Sequence, residues 1–125
     1  MVLVDTSVWI RALSNRAPFV AELDRLLDRD EVAGHDLIYG ELLIGDCGGR
    51  KKLLTEYKHM FQAATIPHPE VVTFVEHRQI HGRGIGWIDV HLLASAIVDR
   101  LRLWTADPRL SILADEFGVG HRIPN

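Results

Sequence analysis

Apolar and polar positions along the chain follow two patterns. Short apolar runs at residues 2–4 and 101–105 predict buried strands, and weaker runs suggest further short strands. Longer stretches carry apolar residues three or four positions apart, the spacing of one helix face. The predicted weaker strands are residues 31–33, 63–66 and 119–123, and the predicted helices are residues 6–13, 18–27, 37–44, 50–61, 69–80, 88–99 and 108–117.

Short strands that alternate with helices predict an α/β sandwich around a mainly parallel sheet. The chain has 125 residues and neither an internal repeat nor a linker-like stretch, so we expect a single domain over residues 1–125. Hydrophobic residues make up 47% and charged residues 25%, a composition typical of a globular protein that buries a core.

Other whole-chain features narrow the classes of protein. Apolar runs fall short of the roughly 20 residues that span a membrane, and the N-terminus reaches Asp5 too early for a signal peptide, so we expect a cytoplasmic protein. A single cysteine, Cys47, excludes an internal disulfide and a cysteine-based zinc site. The formal net charge of −3 counts mildly against a polynucleotide substrate. It does not exclude one, because bound metal ions would cancel acidic charge and basic residues can cluster locally.

Four carboxylates occupy positions that an isolated side chain would avoid. Asp5 and Asp107 follow the apolar runs at 2–4 and 103–106, and Glu41 and Asp89 lie on the apolar faces of predicted helices. Parallel strands end at one edge of the sheet, where α/β proteins bind ligands, so Asp5 and Asp107 are expected there. A partly buried carboxylate costs several kcal/mol, roughly, or becomes protonated unless a positive group meets it.

No Lys or Arg is adjacent in sequence to serve all four acids, and a divalent cation is the simplest common partner. An all-oxygen ligand set favours Mg²⁺ or Mn²⁺. In phosphodiester cleavage such ions activate water and stabilise the leaving oxygen. A structural alternative is that Asp5 and Asp107 cap the helices that follow them and Asp89 complements a helix dipole. That alternative leaves Glu41, in the middle of a helix, unexplained.

Four segments at these acids resemble the PIN-domain family, in particular the VapC-type toxins of type II toxin–antitoxin modules. The similarity spans nearly the whole chain, in the order usual for the family. Its segments are VLVDTSVWI at residues 2–10, GELL at 40–43, WIDVHLLASA at 87–96 and LWTADPRL at 103–110.

The resemblance implies a three-layer α/β/α sandwich and a Mg²⁺- or Mn²⁺-dependent endoribonuclease that cleaves structured RNA, often tRNA or rRNA. It also implies a homodimer that a cognate VapB-like antitoxin inhibits. Water activated by the metal would cut the phosphodiester and leave a 5′-phosphate and a 3′-hydroxyl.

The acids and hydroxyls of this chain match the family's pattern position by position. The resemblance makes Asp5, Glu41, Asp89 and Asp107 the catalytic quartet. Asp5, Asp89 and Asp107 would bind the metal directly, and Glu41 would complete its shell or orient the attacking water. The supporting hydroxyls that match the family are those of Ser7 and Thr105. No acid is missing, so an active member is expected.

Basic and aromatic residues supply weaker candidates. Arg78, His81 and Arg83 could contact RNA phosphates, since arginine suits bidentate phosphate contacts, although an ordinary solvated face explains them equally well. A zinc site at His77 and His81 would need a third ligand, and the sequence indicates none. Trp9, Trp87 and Trp104 fit the core or an interface better than a base-stacking surface, and the interface alternative would place Trp9 and Ile10 on a dimer or antitoxin surface.

Two other functions are consistent with an α/β fold. A receiver-like signalling domain would need a strand-end lysine beside its acids, and no lysine lies beyond Lys58. A non-catalytic PIN-like interaction module is the main alternative, and the intact quartet argues against it.

Overall fold

The N-terminal strand lies inside a four-stranded sheet. The structure, a computed structural model, describes residues 1–124, and the sheet within them has the order β3-β2-β1-β4. Each neighbouring pair of strands is parallel, as the sequence predicted. The strands are β1 (Val2–Val4), β2 (Val32–Gly34), β3 (Phe61–Gln62) and β4 (Arg102–Trp104).

Helices connect and flank the strands. Residues 1–124 form seven of them, and none is long and apolar enough to cross a membrane. They are α1 (Thr6–Leu13), α2 (Phe19–Asp28), α3 (Asp36–Ile44), α4 (Lys51–Tyr57), α5 (His68–Arg78), α6 (Trp87–Val98) and α7 (Pro108–Glu116).

Both faces of the sheet are covered. All three residues of β1 and all three of β2 are buried, although successive residues of a strand point to opposite faces. A parallel sheet buried on both faces is the arrangement of an α/β/α sandwich, which confirms the predicted fold class.

The register of β1 and β4 fixes the edge at which the acids can meet. Val4 lies opposite Trp104, and the backbone amide of Asp5 donates to the carbonyl of Trp104 at 2.9 Å. The residues that follow the two strands are therefore neighbours, although about 100 residues separate them in sequence.

The structure differs from two of the predicted strands: one lies at other residues, and the other is not formed as a strand. The strand predicted at residues 63–66 is instead the shorter β3. The amide of Ala63 donates to Gly34 at 2.8 Å, and the strand pairing ends there. The last strand, predicted at 119–123, is reduced to one bridge between Leu103 and Gly120. There Gly118 makes a left-handed turn, and pairing with β4 ends after the amide of His121 bonds to Leu103.

The predicted helices are all present, and two of them end at least two residues early. Residues 50–61 were predicted as one helix, but α4 ends at Tyr57, where turn hydrogen bonds lead into β3. The helix predicted to reach residue 80 ends at Arg78, because Gln79 adopts a left-handed conformation with φ 54°. Neither change moves an acid of the quartet.

Candidate active site

Two hydroxyl groups hold the carboxylate of Asp5. Asp5 is 5% exposed, and its Oδ2 accepts hydrogen bonds from Ser7 Oγ at 2.7 Å and from Thr105 Oγ1 at 2.8 Å. Both hydroxyls also accept from the backbone after β4: Ser7 from Ala106 at 3.0 Å and Thr105 from Asp107 at 3.1 Å. The side chain of Asp5 does not cap α1, so capping does not explain why an acid stands here.

Glu41 is held by a residue that the sequence analysis did not single out. Thr6, which follows Asp5 and opens α1, donates from Oγ1 to Glu41 Oε1 at 2.6 Å. Thr6 is 9% exposed, so water competes little for this bond. The sequence shows that a hydroxyl residue, Thr6, follows the strand-end acid Asp5. It does not show that this hydroxyl contacts Glu41, which lies 35 residues further along the chain.

Asp89 lies within electrostatic range of the other three acids. It lies in the first turn of α6 and is half-buried. Burial and, next, the negative charges of Asp5, Asp107 and Glu41 together raise the pKa of Asp89 to about 6, against a smaller lowering by the backbone amide of Gly86. Repulsion from all three other acids means that the fold brings the predicted quartet to one place.

Asp107 combines a structural contact with a free carboxylate oxygen. Its Oδ1 caps α7 by accepting from the amide of Arg109 at 2.9 Å, as the structural alternative predicted. Its Oδ2 accepts no hydrogen bond from residues 1–124 and remains able to bind a ligand. The cap therefore orients the Asp107 side chain and uses only one of its two carboxylate oxygens.

The four carboxylates form no ion pair with a side chain of residues 1–124. Within residues 1–124, no Lys, Arg or His lies within 4 Å of any of the four carboxylates. The same residues contain no group of three His, Cys, Asp or Glu side chains close enough to hold a metal as they stand. Hydrogen bonds hold the Asp5 carboxylate in place. The other three acids would have to move closer to it in order to bind a cation together. An all-oxygen donor set with uncancelled charge fits Mg²⁺ or Mn²⁺.

Two of the three predicted RNA contacts, Arg78 and Arg83, lie beside the end of α7. Arg83 pairs with Glu116 through two hydrogen bonds of 2.9 and 3.2 Å, and Arg78 stacks over the ring of Phe117 at 4.5 Å. His81 is exposed and lines a small cavity of about 230 Å³. Both arginines therefore share their charge with protein groups.

Arg109 is a basic residue close to the quartet that the sequence analysis missed. It is exposed, and within residues 1–124 no carboxylate lies within 4 Å of its guanidinium. Its side chain passes over Gly84, where an added Cβ would lie 2.8 Å from a guanidinium nitrogen. The guanidinium of Arg109, unpaired within residues 1–124, thus lies two residues after Asp107. Its position in the first turn of a predicted helix, directly after an acid, was the feature of the sequence that could have identified it.

Of the two alternatives for Trp9, the structure supports the core and excludes the surface role. Trp9 is 2% exposed and meets the ring of Tyr57 edge-on at 5.8 Å. Its neighbour Ile10 is 45% exposed, and Leu13, one turn on, is 49% exposed. The apolar outward face of α1 is therefore formed by Ile10 and Leu13, and Trp9 does not contribute to it.

Comparison with known proteins agrees with this geometry. The model of the PIN domain matches residues 2–116. Ribonuclease VapC32 of Mycobacterium tuberculosis, from strain CDC 1551 and from strain H37Rv, is 42% identical over 120 residues, which cover 95% of this chain and 94% of each relative. The crystal structure of PAE2754 from Pyrobaculum aerophilum superposes with a TM-score of 0.56 at 20% identity, covers 89% of this chain and 82% of its own, and supports the fold. The chain belongs to the PIN-domain family and, within it, to the VapC-type toxins.

Proposed function

We propose that this chain is a Mg²⁺- or Mn²⁺-dependent endoribonuclease, the toxin component of a toxin–antitoxin module, which cleaves tRNA or rRNA in the cytoplasm. The observation that carries the proposal is the buried Asp5 carboxylate, which two hydroxyls fix among three further acids, none of them ion-paired with a side chain of the described residues. The relative at 42% identity is named a ribonuclease.

The acids have distinct roles in this proposal. Asp5, Asp89 and Asp107 would hold the cation, and Glu41 would complete its shell or orient the attacking water. A bound divalent cation supplies Lewis acidity, which lowers the pKa of water and stabilises charge on the phosphodiester.

The surrounding hydroxyls keep the acids in position. Ser7 and Thr105 hold one oxygen of Asp5, so its other oxygen faces the cluster without a partner among residues 1–124. Thr6 similarly restrains Glu41. Attack by water on the phosphorus leaves a 5′-phosphate and a 3′-hydroxyl.

Substrate RNA needs positive charge near the acids, and Arg109 supplies it. Its guanidinium is exposed and free of carboxylate partners within the described chain, so it can form a bidentate contact with a phosphate next to the cleaved bond. Arg78, His81 and Arg83 extend this surface along the end of α7. RNA would pass from the acids across the loop at residues 81–86.

Apolar side chains on the surface support the proposed partners. Ile10 and Leu13 on α1, and Leu43 and Ile44 at the end of α3, are between 45% and 89% exposed. Exposed apolar patches mark protein interfaces, which fits a homodimer and a VapB-like antitoxin. Addition of a cognate VapB-like antitoxin should suppress RNA cleavage. Cleavage that continues in the presence of an equimolar amount of a candidate antitoxin would exclude that candidate as the partner.

Cleavage of total RNA by the purified chain tests the proposed function. With Mg²⁺ or Mn²⁺ we expect discrete cuts that EDTA abolishes. Asp5→Asn should stay folded and lose at least about 100-fold in rate, because removal of a group that stabilises transition-state charge commonly costs 10²–10³. Asp24→Asn, the same change at an exposed position on α2, is the matched control and should cleave normally.

A fully active Asp5→Asn protein would contradict the proposed chemistry. A folded wild-type chain that binds its antitoxin but leaves every RNA intact, with either metal, would favour the non-catalytic interaction module.

A further inference from the structure

A buried histidine caps the helix that carries Glu41. His35 lies between β2 and α3 and is 0% exposed. Its Nδ1 accepts from the amide of Leu37 at 3.0 Å, which caps α3 in the way that Ser, Thr, Asp or Asn usually does. Its backbone amide donates to the hydroxyl of Tyr57 at 2.8 Å, so the residue is held on both sides.

The other ring nitrogen of His35 reaches the helix that carries Asp89. Because Nδ1 accepts, the neutral ring bears its proton on Nε2, which donates to Ser95 Oγ at 3.0 Å. Ser95 lies on α6, is 0% exposed, and donates in turn to the carbonyl of Ala64 at 2.6 Å. The hydrogen bonds thus run in one direction, from His35 through Ser95 to Ala64, and leave no polar side-chain atom of the pair unpartnered.

This chain of hydrogen bonds joins the two helices that supply acids to the cluster. His35 is six residues before Glu41, and Ser95 is six residues after Asp89. At a rise of about 1.5 Å per residue, each contact lies about 9 Å along its helix from the acid, a distance over which a helix behaves as a rigid rod.

We propose that His35 and Ser95 are positioning residues, which set the separation of α3 and α6 and thereby the distance between Glu41 and Asp89. The proposal rests on the proposed function, because it assigns both acids to one metal site. The half-buried acids need a defined spacing in order to close around a cation, and the side-chain cluster itself contains no bond between Glu41 and Asp89.

The decisive measurement is Mn²⁺ affinity, since a purely structural role would not change it in a folded protein. In Ser95→Ala the Nε2 proton and the Ala64 carbonyl lose their partner, and α6 is free to shift. We expect calorimetric Mn²⁺ affinity to fall about tenfold, the low end of the effect seen for outer-shell partners of metal ligands. Ser95→Cys, which keeps a small donor at this position, should restore part of the affinity.

A second variant separates the cap from the bridge. His35→Asn can still cap α3 with its side-chain oxygen but is too short to reach Ser95, and it should lose Mn²⁺ affinity to the same extent as Ser95→Ala. Leu26→Ala, which empties part of the core under α2, is the control for lost stability. It should bind Mn²⁺ as the wild type does at a temperature where all variants are folded.

The outcomes distinguish the two proposals. Wild-type affinity in folded Ser95→Ala and His35→Asn would overturn the positioning role and leave the ribonuclease proposal intact. Failure of both variants to fold would assign the hydrogen bonds to stability alone and would also overturn it. A wild-type chain that neither binds Mn²⁺ nor cleaves RNA would instead overturn the proposed function.

Discussion

Among single residues, Asp89 bears the electrostatic cost of the cluster. Its pKa is raised to about 6 from 3.8, first by burial and then by the charges of the other three acids. A raised pKa in the folded state means that the ionised carboxylate opposes folding. The stability that protonated Asp89 contributes is fully present below pH 3.8, declines as the pH rises to about 6, and is absent above it.

Asp89→Asn should therefore stabilise the metal-free protein at neutral pH. A shift of about two pKa units corresponds to at most about 3 kcal/mol, and partial exposure reduces the expected gain to about 1–2 kcal/mol. Urea unfolding in EDTA at pH 7.5 should show this gain, and the gain should shrink as the pH approaches 4. A destabilised Asp89→Asn protein at pH 7.5 would show that the acids do not repel one another as described.

Among the elements, the loop at residues 81–86 and helix α7 act together through one contact. Gly84 has a φ of 75° and lies under the Arg109 side chain, so this glycine both makes the turn and leaves space for the guanidinium. The loop thereby holds a positive charge beside Asp107.

Arg109→Gln should weaken RNA binding and leave metal binding unchanged. Loss of a charge-assisted phosphate contact, worth about 1.5–3 kcal/mol, is expected to raise KM for RNA about tenfold or more. Arg29→Gln, at an exposed position after α2, is the control for net charge. If both variants cleave limiting RNA at the wild-type rate, Arg109 does not contact the substrate.

Local patterns account for what the sequence could predict about these elements. The apolar run at residues 2–4 and the pair Leu103 and Trp104 are buried strand positions, and the spacing of apolar residues marks all seven helices, because both signals depend only on neighbours in the chain. The strands expected at 63–66 and 119–123 were wrong, since pairing there is set by Gly34 and Leu103 on other strands.

The quartet was predictable because each acid follows an apolar pattern that places it at a strand end or on a helix face. Its supports were less visible. The contacts from Thr6 to Glu41 and from His35 to Ser95 join residues 35 and 60 positions apart, and no local pattern encodes either of them.

At the scale of the whole molecule, exposed apolar side chains predict self-association. Leu43 is 52% and Ile44 is 89% exposed at the end of α3. Sedimentation should give the mass of two chains of 14.1 kDa. Ile44→Lys should shift the equilibrium toward monomer, because burial of such a side chain is worth about 1.5–3 kcal/mol. Ile112→Lys on α7, which is 57% exposed, is the matched control, and a monomeric wild type would rule out the homodimer.

The strand order also has a consequence for biosynthesis. β1 is made first, yet its neighbour β4 is made last, and Asp5 receives its hydrogen bond from Thr105 only after 100 further residues have been added. A growing chain on the ribosome cannot assemble the four acids until Asp107 has emerged. Translation that stops before that point therefore yields fragments without the assembled acid cluster.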